Sequence, residues 1–161
     1  MMKTTMLAAL LVALPLPALA HGDSHPKKAG QAISTDRHPW GQEGDPAKAR
    51  RVIKVSMADT MRFTPDRIEL RKGETVTFEV ANRGQLMHEF VIGTEEELVK
   101  HAALMKKFPE MEHDAPYMAH VKPAGRQCIS WRFTEAGTFL AGCLLPGHWE
   151  AGMKATLIVK E

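Results

Sequence analysis

The chain has 161 residues, enough for one domain with a real core, and at 44% apolar and 25% charged residues its composition is ordinary for a globular protein. A formal net charge of +2, with no basic run, argues against a nucleic-acid partner. Ten methionines are more than chance would place here, against a single tyrosine.

Residues 1–20, MMKTTMLAALLVALPLPALA, combine Lys3, a short apolar stretch and Ala18-Leu19-Ala20. This is the pattern of a secretory signal peptide cleaved after Ala20. The stretch is too short and too proline-broken to be read as a membrane span. The mature chain is therefore expected to begin at His21 and to work outside the cytoplasm. Residues 21–50 carry Gly, Pro, His, Lys and Asp and almost no large apolar side chains. Such a segment buries too little to order itself and is expected to be a flexible, histidine-bearing tail.

The texture changes at Val52, and residues 51–161 are expected to form the folded domain. VIKVSM alternates as a strand does. RIELRKGETVTFEVAN holds two more strands around the Lys72-Gly73 turn, and LMHEFVIG is a fourth. RQCISWRF, GTFLAGC and MKATLIVK follow. Short strands broken by Gly, Asn and Pro predict an all-β antiparallel sandwich or barrel. TEEELVKHAALMKKFP interrupts them as a helix. Thr94 can cap it, Glu97 stands three residues on, Lys106 and Lys107 fill the last turn, and Pro109 ends it. Leu98, Ala102 and Met105 make its apolar stripe. Residues 94–125 thus read as a helical insertion between the strand carrying His88 and the strand carrying Cys128.

Near the C-terminus, AGCLLPGHWEAGM places Cys143, His148 and Met153 at equal intervals, with four residues between each and the next. Side chains alternate across a strand, so the neighbours say which way each points. Phe139, Ala141 and Cys143 share an apolar face, as do Met153, Ala155, Leu157 and Val159. Leu86, His88, Phe90 and Ile92 share a third, with Met87 and Glu89 opposite. Cys143, Met153 and His88 are therefore expected to point inward. A buried imidazole needs a partner. Ile129, Trp131 and Phe133 claim the inner face of their strand, which turns Cys128 outward. That parity disfavours a Cys128–Cys143 disulfide, which otherwise remains the alternative in an exported protein. Two imidazoles, a thiolate and a weak thioether suit copper in both oxidation states, whereas zinc has little use for methionine.

The VANRG turn, the MHEFVIG strand, the AGTFLAGCLLPGHWEAGM loop and the final strand resemble the cupredoxins, the type 1 copper proteins. The resemblance covers roughly Val52 to Lys160, apart from the insertion. It implies a Greek-key β-sandwich with copper at one end, ligated by His88, Cys143 and His148 with Met153 axial. The insertion and the tail are similar to those of periplasmic cupredoxins associated with bacterial copper resistance.

Three functions compete. In electron transfer, His148 lies near the surface among Leu145, Pro146 and Trp149, an apolar rim on which a periplasmic redox partner docks. In copper handling, the remaining imidazoles and thioethers bind additional copper weakly. These are His21, His25 and His38 of the tail and His101, Met105, Met111, His113, Met118 and His120 of the insertion. His21, N-terminal after cleavage, could chelate Cu(II) through its amine and ring. The third class is an enzyme. Relay to further coppers needs histidines beside the cysteine, but Cys143 is flanked by Gly142 and Leu144, and no His-x-His pair occurs. A Cu(I)-oxidising activity has no residue pattern behind it. The expectation is a periplasmic, redox-active copper protein serving copper tolerance, with an electron carrier as the alternative.

Overall fold

The computed structural model describes residues 32–109 and 114–161. Eleven strands and one α-helix follow in order among them. They are β1 (Arg37–His38), β2 (Gly41–Glu43), β3 (Arg51–Ala58), β4 (Arg62–Thr64), β5 (Arg67–Arg71), β6 (Thr75–Asn82) and β7 (His88–Gly93), then α1 (Glu95–Lys107), β8 (Met118–Val121), β9 (Arg126–Phe133), β10 (Gly137–Gly142) and β11 (Lys154–Lys160). The strands form two sheets, in the orders β1-β2-β9-β6-β3-β4 and β5-β11-β10-β7-β8. The chain crosses between them after β4, β5, β6, β8 and β9, which gives the expected sandwich. The sheets are not wholly antiparallel, however: β3 pairs with β6, and β5 with β11, in parallel. Each such pair is made by a chain that leaves one sheet and returns, the crossover that parallel neighbours require.

The alternation read from the sequence fills the space between the sheets. Phe63, Phe78, Phe90, Phe133, Met57 and Leu157 are all buried there. A second, smaller cluster lies on the other side of the β7-bearing sheet. Val91, Leu144 and Trp149 meet Leu98, Ala102 and Met105 of α1 there. The helix forms as its ends predict. Thr94 accepts from the Glu97 amide and Glu97 reaches back, a reciprocal capping box. None of the helices is long and apolar enough to cross a membrane, among the described residues.

Two expected boundaries move. The flexible tail was expected to run to residue 50, but β1, β2 and a 3-10 turn at Pro46–Lys48 lie inside it. The cause is Trp40, which is 1% exposed. Its ring stacks on Trp131 with centroids 4.6 Å apart, and its indole N–H donates to Glu97 Oε2 at 3.0 Å. Burying one tryptophan removes roughly 150–250 Å² from water, enough to hold a short segment down. Gly41 lets this happen, since a Cβ there would lie 2.3 Å from Trp131 Nε1. The insertion is likewise shorter than residues 94–125, because β8 pairs with β7 through His88↔Val121 to Val91↔Met118.

Candidate metal centre

The side chains of His88, Cys143 and His148 converge at one end of the sandwich, with buried Met153 adjoining Cys143 through the backbone. His88 opens β7, Cys143 follows β10, Met153 precedes β11, and His148 stands in the loop between. The β10–β11 register carries one step past Gly142↔Lys154, so that the Cys143 amide donates to the Met153 carbonyl at 3.1 Å. The Met153 amide in turn donates to His148 O at 3.1 Å, and the His148 amide to Leu145 O at 3.0 Å. These bonds, with a left-handed turn at Gly147 (φ 88°), fold the loop from Cys143 to Met153 back on itself.

The donor atoms of His88, Cys143 and His148 lie within 4.8 Å of one another. His148 Nδ1 is 3.2 Å from Cys143 Sγ and 3.3 Å from His88 Nδ1. Cys143, His88 and Met153 are fully buried, and His148 is half-buried. Burial pushes the Cys143 thiol up to about 12. A metal entering here must therefore displace a proton from sulfur. The Glu89 amide donates to that sulfur at 3.3 Å. Burial, and then the neighbouring His88, hold the His148 imidazole below its ordinary value. It is thus neutral at neutral pH, as a ligand must be. An imidazole pair, a buried thiol and a thioether in one apolar pocket match the soft donor set that copper prefers.

Three further residues surround this group. Asp59, just after β3, places Oδ1 3.0 Å from His88 Nε2. The Gln85 amide, and then Leu86 and His88, hold its carboxyl below the usual carboxylate range. Buried Asn82 accepts from the Gly84 amide at 2.8 Å and donates to Leu86 O and Val121 O at 2.7 and 2.9 Å. It thereby fixes the loop that leads into His88. Glu89 is the third. Parity sends it to the outer face, and it is there, but buried. It accepts from the Leu144 amide and meets His120 Nδ1 at 3.1 Å.

Other expectations fare unevenly. Leu86 does not share the inner face with His88. It precedes the strand, in the loop held by Asp59 and Asn82, and is 48% exposed. Trp149 is not part of an apolar rim. It packs under α1 against Gly142, where an added Cβ would meet its ring at 2.5 Å, and Lys154 Nζ stands 3.8 Å from its centroid. The exposed apolar side chains next to the ligands in sequence are Leu86 and Met87, just before His88, and Pro146 in the ligand loop. Cys128 and Cys143 are both free, with Cys128 exposed on the outer face of β9, so no disulfide joins them. Met105 and Met118 are buried in the outer cluster, and His120 faces Glu89. His38 and His101 line one cavity of about 260 Å³ with Trp40, Glu97, Lys100 and Tyr117. No second group of three His, Cys, Asp or Glu donors gathers as closely among the described residues. The signal peptide and His21, His25, Met111 and His113 lie outside the described residues.

Comparison with known proteins agrees with this geometry. A family model described as copper binding proteins, plastocyanin/azurin family, matches residues 49–160. The chain is 45% identical over 140 residues to the copper-resistant cuproprotein CopI of Rubrivivax gelatinosus, covering 87% of this chain and 83% of that one. It is 32% identical over 163 residues to the copper-resistant cuproprotein CopI of Vibrio cholerae, covering 95% and 96%. Among solved structures, a reduced auracyanin from Roseiflexus castenholzii superposes with a TM-score of 0.61 at 20% identity, covering 70% of this chain and 99% of that one. His88, Cys143, His148 and Met153 are arranged as a type 1 copper site requires, and this chain belongs to the cupredoxins, the plastocyanin/azurin family of copper-binding proteins.

Proposed function

We propose that this chain is an exported, redox-active type 1 copper protein whose task is copper tolerance in the periplasm. His88, Cys143 and His148 would hold the copper, with the thioether of Met153 as a fourth, weaker donor. The observation that carries the reading is the convergence of three donor atoms within 4.8 Å beside a fully buried Met153. Copper held by such a set exchanges one electron between Cu(I) and Cu(II). The protein's part is to hold the ligands still. Three of the four stand at strand ends, and the loop between them is closed by its own backbone hydrogen bonds. Half-buried His148 is the ligand nearest solvent and the entry point for electrons.

Copper tolerance is supported by the two relatives named for copper resistance, which match this chain over most of its length. A catalytic role is disfavoured, because Gly142 and Leu144 leave Cys143 with no adjacent histidine to relay electrons onward. The second reading is an electron carrier. Exposed Leu86 and Met87, immediately before His88, favour it as apolar surface for a redox partner.

Copper reconstitution followed by visible spectroscopy tests the site. The wild-type chain should develop an intense thiolate-to-copper absorption, and Cys143→Ser should abolish it. Persistence of the band in that variant would remove Cys143 from the ligand set. Deleting the gene separates the two tasks: loss of copper tolerance supports the first, and a slowed respiratory chain with unchanged tolerance supports the second. More than one copper bound per mature chain would add the tail or insertion to the binding groups.

A further inference from the structure

We propose, resting on the type 1 reading above, that Asp59 is a positioning residue for copper. Its carboxylate fixes the tautomer of His88 and biases the ion toward Cu(II).

The argument begins with a ring that has no exposure to solvent. Both nitrogens of such an imidazole need partners. Nδ1 points to His148 Nδ1 and is the atom that converges with the other donors. Nε2 points the other way, 3.0 Å from Asp59 Oδ1. An ionised carboxylate only accepts, so the proton resides on Nε2 and the Nδ1 lone pair faces the site. The carboxylate is itself aimed. The Gln85 amide donates to Oδ2 at 2.7 Å and the Leu86 amide to Oδ1 at 3.2 Å. The approach also depends on Gly84, where a Cβ would lie 1.9 Å from Oδ1. Asp59 thus clamps the loop before the ligand and holds the ligand's remote nitrogen at once.

A carboxylate accepting a hydrogen bond from that nitrogen makes the imidazole more basic. It also stabilises the ion of higher charge, so Cu(II) gains more than Cu(I). A carboxylate serving only as a loop clamp would affect both oxidation states alike. The two roles are therefore separable by experiment.

Copper-loaded wild-type, Asp59→Asn and Asp59→Glu chains should be compared by spectroelectrochemistry and by competition with Cu(I)- and Cu(II)-specific chelators. Asp59→Asn should keep the thiolate-to-copper band, since the ligands remain. Its Cu(II) affinity should fall by roughly 10–100-fold, the usual cost of removing a ligand's hydrogen-bond partner. Its Cu(I) affinity should change far less. The reduction potential should then rise by about 59 mV for each tenfold difference between the two. Asp59→Glu, which keeps the charge, should recover part of the shift. An unchanged potential, or equal losses for both ions, would reduce Asp59 to a loop clamp and overturn the proposal.

Nitrogen NMR of the diamagnetic Cu(I)-loaded wild-type chain gives an answer even if the asparagine variant does not fold. A proton on His88 Nε2 supports the assignment, and one on Nδ1 overturns it. A wild-type chain that binds copper without the thiolate band would refute the type 1 reading and this proposal together. A wild-type chain with the band, beside an Asp59→Asn variant of unchanged potential, would refute this proposal alone.

Discussion

The two faces of the β7–β10 layer make an instructive pair. On the inner face, His88, Phe90, Cys143 and Met153 join the core between the sheets. On the outer face, Val91, Leu144 and Trp149 are covered by α1. The loop from Gly142 to Met153 feeds both, sending its sulfur ligands inward and its largest apolar side chains outward. Lys106 of α1 adds an ion pair with Glu150 of the same loop. The inner face supplies donors and the outer face supplies support, so damage to the two should be distinguishable.

The largest effect is expected from the outer face. Leu98→Ala, at a 2% exposed position in the helix stripe, should cost about 2–5 kcal/mol in urea unfolding of the copper-free chain. The folded remainder should still show the copper band. Loss of the band from chains that remain folded would mean that the helix shapes the donors themselves. Gly142→Ala attacks the seam between the faces, since its methyl would meet Trp149 at 2.5 Å. It should cost about 1–3 kcal/mol and, unlike Leu98→Ala, also shift the absorption maximum. An unshifted maximum would uncouple Trp149 from the site.

The inner face should answer to pH. The Cys143 thiol keeps its proton up to about 12, so copper uptake releases one proton across the neutral range. Apparent affinity should rise about tenfold per pH unit, and His148, already neutral there, should add no further dependence. A pH-independent affinity would mean that the thiol is ionised before copper arrives. The smallest effect belongs to neither face. Cys128→Ser, exposed on β9, should change stability by less than about 0.5 kcal/mol and leave the spectrum intact.

Much of this was legible because it is local or periodic. The sequence bounds of β9 match the observed Arg126–Phe133, and Thr94 and Glu97 announce the start of α1. Parity alone turns Cys143 and Met153 inward and Cys128 outward. The failures have physical causes of a different kind. β2 is three residues long and rests on Trp40, whose partners Trp131 and Glu97 are far along the chain. β8 was hidden in a stretch dominated by a helix pattern, and only its pairing with β7 identifies it as sheet. Parity put Glu89 on the outer face but could not know that α1 and β8 would bury that face. Asp59 is 29 residues from the histidine it holds, and no spacing rule joins them.

Glu97 makes a last point. One of its oxygens, Oε2, receives the Thr94 amide at 2.9 Å, the Thr94 hydroxyl at 2.7 Å and the Trp40 indole at 3.0 Å. The atom that begins the helix therefore also latches the N-terminal segment, four residues after the end of β7. The two cannot loosen independently, because releasing Trp40 withdraws one of the donors that hold the helix's own cap. An event that unlatches residues 37–43 would be felt at one end of the strand whose other end is His88.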